Sequence, residues 1–454
     1  MARLRLLRAL GILLASSMVM ATSTTFAAGV KPGDLITPEN ASIVADLVSP
    51  GNLVLVRQGM RMKIVPTQRL EWPPPYKTAT EKYSPQVRVN DRGELQNYVA
   101  GLPFPLLDPN DPQVASKVMW NFSYRPQFTD DFDVHRVEIE SNRPSRVLGG
   151  PIEHFTIGRI AFYNNVGRTE VAPMPTDPEA NTAGIRYRFA AFPFLEPSER
   201  QGCGLLRYRN IDPKLDDYAW IFAPTGDFGF FRWVKTTQLS DAIGGPLIVL
   251  AQNTEGPATY ANNIDPDSYF GFAAKIENYN YKLLGIKPML ACTHAENLPA
   301  KPCQFDNHRT VCPEAWEIRQ LYVIEATAKQ QSLTQKLGSD GTLIPKRILY
   351  IDSEGWFVTA SDQYDRRGNL WKTLATFNAY RDRTGSDASV AVYPWKRMLQ
   401  TAMVDEDIQN GFSSVMYTPG PESGGAEGWR INTGTISKDL LDIYQMDWRS
   451  MQNP

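Results

Sequence analysis

The chain of 454 residues has few of the side chains and motifs on which enzymes rely, with only four histidines and four cysteines. It contains no GxSxG, no HExxH and no GxGxxG after a strand, which removes the usual serine-elbow, zinc-protease and dinucleotide signatures. The glycine-rich run PGPESGGAEGW lacks the GK[ST] ending that a phosphate loop needs. The sequence therefore predicts a binding protein rather than an enzyme, with no cofactor and no metal.

An excess of positive charge is also missing. The chain has 47 basic and 49 acidic residues, and the first 27 residues hold three arginines and no acid. Without that segment, 47 − 3 = 44 basic residues face 49 acidic ones, a net charge of −5. This balance gives no long-range attraction to nucleic acid or to an anionic membrane surface.

Long apolar runs are confined to the N-terminus, where residues 1–27 are typical of a cleavable signal peptide. Arg3, Arg5 and Arg8 precede an apolar run from Leu10 to Met20, and small residues before Ala28 suit cleavage after Ala27. The run is too short and interrupted to favour the alternative of a membrane anchor. With no cysteine near the cleavage site, a lipoprotein is not expected. We expect an exported, periplasmic protein that does not span the membrane.

The four cysteines predict two disulfides, because exported proteins are oxidised. Cys292, Cys303 and Cys312 share one loop, and Cys203 lies far upstream. Three pairings are open; we favour Cys292 or Cys303 with Cys312, and the remaining cysteine with Cys203. Zinc is the alternative, since His294 and His308 lie between the thiols, but the spacing matches no usual zinc site.

Regularly spaced strand-like runs dominate the chain after about residue 100. In GIRYRF and LLRYRN, apolar or aromatic residues alternate with Arg186, Arg188, Arg207 and Arg209. Such alternation is typical of an antiparallel sheet with one dry and one solvated face. We interpret the arginines as a solvated face that aids solubility.

Two segments interrupt the strand pattern. Residues 28–100 read as an N-terminal extension, with a short helix capped by Thr37, a stop at Ser49-Pro50-Gly51 and an extended strap from Trp72 to Tyr76. Residues 101–454 form the main β domain, which opens with a helix around 112–119 and a strand containing Trp120, Phe122 and Tyr124. The acidic run TDDFDVH that follows is interpreted as a solvated turn rather than a calcium loop.

The stretch from Pro345 to Thr373 is the strongest hairpin signal. Short alternating runs flank the polar turn DRRGN, and the first run meets Asp352 and Glu354. This pattern is typical of antiparallel strands with one face covered. It indicates a large curved sheet that binds ligands.

Five runs in order along the chain resemble the bacterial family called domain of unknown function 1329, and more distantly the outer-membrane lipoprotein carriers LolA and LolB. These runs are Gly101–Arg125, Asp216–Pro224, Ser268–Lys287, Trp316–Ala326 and Lys346–Lys372. The chain departs from the family in the strand after DDYAWIFAP, which keeps only Arg232. No run is a catalytic signature.

The resemblance implies a mainly β, LolA-like fold: an incomplete antiparallel β-barrel plugged by a few helices, with an apolar interior for an acyl chain. It also implies a carrier that moves a lipid or other hydrophobic compound and works with an RND-type (MmpL-like) exporter and an outer-membrane protein. Aromatic residues are the expected ligand contacts: Trp120, Phe122, Tyr187, Trp220, Phe222, Phe230, Trp233, Tyr350, Trp356 and Trp371.

Two other functions compete with the carrier. The first is an envelope hydrolase that uses carboxylates, for which the candidates are Asp217, Glu325, Asp352 and Asp365. The second is a scaffold that joins an exporter to an outer-membrane protein, with the Trp72–Tyr76 strap and the glycine-rich loop Pro419–Trp429 as contacts.

Overall fold

A computed structural model describes residues 29–127, 129–144, 151–191, 204–223, 230–236, 268–329, 346–381, 395–419 and 428–434. The signal-peptide prediction for residues 1–27 and Cys203 lie outside these ranges. The helices are α1 (Pro50–Gln58), α2 (Pro74–Tyr83), α3 (Val114–Ser123) and α4 (Pro178–Thr182). None of the helices in these ranges has the length and apolar character to cross a bilayer.

Strands make up most of the described structure. They are β1 (Leu35–Ile36), β2 (Met62–Ile64), β3 (Arg88–Val89), β4 (Leu95–Gln96), β5 (Asp131–Pro144), β6 (Pro151–Asn164), β7 (Ile185–Ala191), β8 (Gly204–Asn210), β9 (Asp217–Ala223), β10 (Phe230–Thr236), β11 (Tyr279–Ala291), β12 (Glu314–Ala328), β13 (Lys346–Asp352), β14 (Val358–Tyr364), β15 (Leu370–Arg381), β16 (Arg397–Asp407), β17 (Phe412–Tyr417) and β18 (Trp429–Ile431).

One sheet contains all of these strands except the β3–β4 pair. Its order is β1-β2-β12-β13-β14-β15-β16-β17-β5-β6-β7-β8-β9-β10, with β11 also paired to β12 and β18 to β5. Every pairing is antiparallel except that of β2 with β12. The path begins at β1 and ends at β10, so the described sheet is open rather than closed into a barrel. The prediction of a mainly β fold on a large antiparallel sheet is confirmed.

The predicted hairpin lies in the middle of this sheet as β13, β14 and β15. Turn 365–369 joins β14 to β15, and the Asp365 carboxylate accepts the backbone N–H groups of Arg367 and Asn369 at 2.9 and 2.8 Å. Gly368 has φ 82°, which glycine adopts without a Cβ clash. Local sequence therefore sufficed to place this turn.

Helix α1 covers one face of β14–β17, which we call the α1 face. Ser49 accepts the N–H of Asn52 at 3.0 Å and Pro50 follows as the first helical residue, so Ser49-Pro50-Gly51 begins a helix. The expectation that these residues end one was wrong. A Cβ at Gly51 would lie 2.0 Å from Thr373 Oγ1. The helix thus rests directly on the strands.

The opposite face is covered by α3 and by residues 268–279, and we call it the α3 face. Trp120 and Phe122 lie on α3, so the strand expected for Trp120, Phe122 and Tyr124 was wrong. The amide of Asn121 exchanges two hydrogen bonds with the backbone of Phe104, at 2.9 and 2.8 Å. These bonds fix α3 to the chain that precedes it.

Neighbouring residues of the central strands point into different cores. Leu374, Met403 and Met416 face the α3 side, whereas the adjacent Ala375, Ala402 and Val415 face the α1 side. All six are buried. The expectation of one dry and one solvated face therefore fails for these strands, because covering segments lie on both sides.

The segment from Trp72 to Tyr76 is extended only at its start. Pro74 begins α2, consistent with the preference of proline for the first helical turn, so the predicted strap was wrong beyond Pro73. Trp72 Nε1 donates to the carbonyl of Glu354 at 2.7 Å, and the buried Tyr76 donates to the carbonyl of Tyr124 at 2.7 Å. The segment is thereby fixed to the main sheet.

Cys303 and Cys312 form a disulfide, one of the two favoured pairings. Cys292 is a buried free thiol, and burial raises its pKa well above the ordinary value. The expected second disulfide, from Cys292 to Cys203, is therefore wrong. The local geometry explains this, because Cys292 packs into the core under α1.

Candidate functional site

The α3 face carries the largest share of aromatic residues in the described structure. One apolar cluster there packs α3 and residues 272–279 onto β12–β14, and a second packs residues 269–270 onto β5–β7 and β15–β17. Arg125 joins them, because its guanidinium lies 4.5 Å from the Phe122 ring centre and 5.6 Å from that of Phe270. The two clusters thus adjoin at the Arg125 guanidinium and together form the aromatic layer of the α3 face.

The structure brings together four of the ten predicted ligand-contact residues. The cluster that contains α3 includes Trp120, Phe122 and Trp356, and Tyr187 packs against the second cluster. Tyr350 lies on the opposite face, with Ile348 and Ala360. Trp371 lies elsewhere and donates a hydrogen bond to Asp407. The paired strands β9 and β10 contain the backbones of Trp220, Phe222, Phe230 and Trp233, whose side chains are outside the described structure.

The arginines of β7 and β8 are not on a solvated face. Arg186, Arg188, Arg207 and Arg209 are 8%, 5%, 2% and 4% exposed. The alternation itself holds on β8, where Leu206 and Tyr208 join a small apolar cluster on one side and the arginines point to the other. The solvation expectation was wrong because residues 273–275 cover Arg207 and Arg209, whereas Ser123 and Tyr124 contact Arg186 and Glu179 pairs with Arg188.

Asp217 pairs with two of these arginines and with Lys275, and is itself fully buried. It accepts Arg207 Nε at 3.1 Å and Arg209 Nε at 2.8 Å, and Lys275 Nζ lies 3.2 Å away. The carbonyl of Ala273 accepts a second bond from each arginine, at 3.2 and 3.0 Å. Burial lowers the pKa of Lys275, an effect that Asp217 opposes. We call these four charged residues the Asp217 cluster.

Arg186 lies next to this cluster but has a different environment. Its guanidinium faces aromatic rings, at 4.3 Å from the centre of Tyr124, 5.5 Å from Trp120 and 5.9 Å from Tyr187. Its Nη2 donates to Ser123 Oγ at 2.6 Å, and its buried Nε has no hydrogen-bond partner. Burial disfavours its charge, yet Tyr124 and the nearby Glu277 hold its pKa above the ordinary value.

Arg125 is a second buried cation at the same end of α3. It donates from Nη1 to the carbonyl of Phe122 at 2.9 Å and from Nε to Gln127 at 3.0 Å. Burial lowers its pKa to about 9. Since the C-terminus of a helix attracts positive charge, Arg125 serves first as a cap for α3.

Tyr187 connects the Asp217 cluster to Arg186, because its ring lies 5.2 Å from the Arg209 guanidinium and 5.9 Å from that of Arg186. Tyr124, Tyr187 and Glu277 are half-buried, so this region reaches the surface. The site has four positive charges, those of Arg186 and of the three cations of the Asp217 cluster. The carboxylates of Asp217 and Glu277 supply two negative charges. The site thus carries a net charge of +2 beside an aromatic layer.

The predicted catalytic carboxylates have structural partners instead. Asp352 pairs with Arg319 at 2.8 Å and accepts the N–H groups of Glu354 and Gly355. Asp217 pairs as above, and Asp365 shapes a turn. Glu325 is half-buried on β12, far along the strand from Asp352, whose register partner is Leu321. The candidates do not meet as a catalytic pair.

The acidic run at residues 130–133 is buried, contrary to the expectation of a solvated turn. Asp130 accepts the N–H groups of Thr169, Glu170 and Val171 at 2.8, 2.8 and 2.6 Å. Burial raises the pKa of Asp131 to about 7, against the effect of Arg168. Asp130 thus holds the loop after β6, and Asp131 accepts the N–H of Thr433 at 3.3 Å.

Sequence reasoning missed Arg186 and the Asp217 cluster as a site. A signal was present: basic residues alternate on two successive strands, and an acidic pair opens the next one. Tyr208 pairs with Tyr218, which puts Arg209 and Asp217 at neighbouring positions of the ladder. Opposite charges at matched positions of adjacent strands indicate a buried ion pair when the outer side is also apolar.

Comparison with known proteins agrees with the sequence resemblance. The uncharacterized protein PA3922 of Pseudomonas aeruginosa is 21% identical over 360 residues, which cover 76% of this chain and 69% of that protein. Three solved structures are similar at low identity. A protein domain from Vibrio parahaemolyticus described as outer membrane lipoprotein-sorting has a TM-score of 0.42 and 14% identity, covering 72% of this chain and 95% of that one.

The other two are a DUF1329 family protein from Desulfovibrio piger (TM-score 0.38, 12% identity, 68% and 88% coverage) and a LolA superfamily protein from Nitrosomonas europaea (TM-score 0.33, 15% identity, 64% and 84% coverage). The sequence model of the family described as protein of unknown function (DUF1329) matches residues 35–234 and 251–419. Since this match spans more than half of the chain, the protein belongs to the DUF1329 family.

Proposed function

We propose that this protein is a periplasmic carrier that binds a lipid or another hydrophobic compound on its α3 face. The observation that supports it most is the aromatic layer there, which α3 and the segment 268–279 cover together with Tyr76 of α2 and residues 87–104. The sequence resemblance to the LolA and LolB carriers points the same way. Binding without catalysis fits the structural pairing of the candidate carboxylates.

The energetics suit an acyl chain. Each CH₂ group removed from water contributes about 0.8 kcal/mol, so a dozen carbons offset the cost of association and of displaced side chains. A helix as short as α3 is marginally stable alone, and its stability depends on packing against the sheet. A ligand chain that takes over part of this packing can therefore displace α3 at moderate cost.

Fluorescence titration with dansyl-undecanoic acid tests this proposal on the purified mature chain. We expect saturable binding, and native mass spectrometry of freshly purified protein should show a co-purifying lipid. Tyr187→Ala, which removes a half-buried ring at the edge of the layer, should weaken binding about tenfold. Tyr83→Ala removes a half-buried ring on α2 and serves as the matched control. No binding and no co-purifying lipid would refute the carrier function.

The finer proposals concern export and partners, and they rest on the signal-like N-terminus and the family resemblance. In cells, the periplasmic fraction should contain a chain that begins at Ala28, as measured by intact mass. A photo-crosslinker at Leu106, which is 91% exposed, should capture an RND-type exporter or an outer-membrane protein. A chain that keeps residues 1–27 and stays in the cytoplasm would contradict this.

A further inference from the structure

The guanidinium of Arg186 is built into the α3 face without a carboxylate partner. In the described part of the chain, its one hydrogen bond is to Ser123 Oγ at 2.6 Å, and its Nε is buried without an acceptor. Leaving a buried charged donor unsatisfied carries a substantial free-energy cost. Such a group in a native structure requires an explanation, and an absent anionic ligand supplies one.

The neighbouring arginine on the same strand shows the difference. A β-bulge between Ile185 and Tyr187 places Arg188 on the side of Tyr208, where both of its Nη atoms donate to the carboxylate of Glu179, although its buried Nε also has no acceptor. Among the described residues, Arg186, two positions earlier, lies against aromatic rings and donates to a hydroxyl group, with no carboxylate bonded to it. Glu277 influences it through charge alone. The strand thus carries one arginine with a protein anion and one without.

The stereochemistry also favours an external anion. Aromatic rings surround the Arg186 guanidinium, the nearest with its centre 4.3 Å from the guanidinium carbon atom. Rings do not replace a carboxylate as hydrogen-bond acceptor, and a guanidinium forms paired hydrogen bonds with planar or tetrahedral oxyanions. The Asp217 cluster adds excess positive charge next to it, and half-buried Tyr187 brings the site to the surface.

We infer that Arg186 binds the anionic headgroup, a carboxylate or a phosphate, of the amphiphile whose apolar chain lies on the α3 face. This inference rests on the proposed carrier function and names the class of its ligand. The headgroup lies against Arg186 between Tyr124 and Tyr187, and the chain runs along the aromatic layer. Neutral lipids of equal length bind more weakly, because the guanidinium then stays unsatisfied.

Paired probes separate headgroup from chain. Dansyl-undecanoic acid and its methyl ester share the same chain and differ in charge. Hexadecyl phosphate and hexadecanol form a second such pair; they are used to displace the fluorescent probe, and they test a phosphate headgroup in the same way. In Arg186→Gln we expect the two anionic compounds to lose about ten- to a hundredfold in affinity, the size of a charge-assisted hydrogen bond. The two neutral compounds should bind as they do to the wild type. Arg367→Gln, in the exposed turn 365–369, is the charge-matched control.

A second variant should change the affinity for anionic compounds in the opposite direction, and it remains informative if Arg186→Gln does not fold. Glu277→Gln removes the half-buried carboxylate whose negative charge acts on Arg186. It should raise the affinity for the two anionic compounds by about threefold or more and leave the affinity for the two neutral compounds unchanged. Equal losses for anionic and neutral probes in Arg186→Gln, or unchanged anionic affinity in both variants, would overturn the headgroup assignment alone. Failure of the wild type to bind any of the four compounds would overturn the carrier function with it.

Discussion

Asp217→Ala should be the most destabilising single substitution among the charged residues of the described structure, at about 3–5 kcal/mol. The carboxylate is the shared partner of Arg207, Arg209 and Lys275, and all four side chains are buried. Its removal leaves three buried positive charges, with the carbonyl of Ala273 as acceptor for the two arginines and the carbonyl of Leu215 as acceptor for Lys275. Like charges on one strand face, two residues apart, then repel in a medium of low dielectric constant.

Urea denaturation followed by tryptophan fluorescence measures this loss. Asp216→Ala provides the matched control, since Asp216 is the adjacent residue of the same type and is exposed. We expect the control to unfold at the wild-type urea concentration and Asp217→Ala at a much lower one. Adding Arg209→Met to Asp217→Ala should recover part of the stability, because one fewer buried charge remains unpaired. If Asp217→Ala and Asp216→Ala unfold together, the cluster is not buried as described.

The Asp217 cluster also shows which information the sequence held. The alternation in LLRYRN correctly separates Leu206 and Tyr208 from Arg207 and Arg209, because side chains of a strand alternate by geometry alone. The burial of the arginine side depends on residues 273–275, more than sixty positions away in the chain. Local pattern determines which side a residue faces, and only tertiary contacts determine what covers that side.

The helix expected around 112–119 is present as α3, and a short helix follows Thr37, but the predictions for residues 120–124 and 49–51 were wrong for a related reason. The aromatic residues Trp120, Phe122 and Tyr124 occupy alternate positions, as in a strand. In the structure this segment is helical, and Val118, Trp120 and Phe122 all pack into the cluster that contains α3. Ser49-Pro50-Gly51 carries signals shared by helix starts and turns, and contact of Gly51 with Thr373 selects the start. The hairpin at 345–373 succeeded because its turn is stabilised by Asp365, a residue within the turn itself.

Stability should fall as the pH rises from about 4.5 to 8, since three buried carboxyl groups hold their protons more tightly in the folded chain. Burial raises the pKa of Asp362 to about 6, of Asp131 to about 7 and of Glu406 to about 7. Between the unfolded and folded pKa values the folded chain binds more protons, so a rise in pH favours unfolding. The stability from these groups is complete below the unfolded pKa and is lost as the pH passes the folded one.

Asp362 offers the cleanest test because it lies where α1 meets the sheet. Its carboxyl group accepts Ser49 Oγ at 3.1 Å, the N–H of Gly51 at 3.1 Å and Thr373 Oγ1 at 2.8 Å. In Asp362→Asn the amide oxygen keeps the bond to Gly51, and the hydroxyl groups accept from the amide N–H₂. The variant cannot ionise, so its loss of stability between pH 4.5 and 8 should be smaller than that of the wild type by up to about 3 kcal/mol.

Urea midpoints at pH 4.5, 6 and 8 measure that difference. Asp365→Asn is the control on the same hairpin: burial opposes the ionised form, but hydrogen bonds from Asn369, Gln409 and Arg367 together lower the pKa of Asp365. We expect Asp365→Asn to keep the wild-type dependence on pH, and Asp362→Asn to become more stable than the wild type at pH 8. A pH dependence in Asp362→Asn equal to that of the wild type would mean that Asp362 is ionised at little cost, and that water reaches the junction of α1 with β14 and β15.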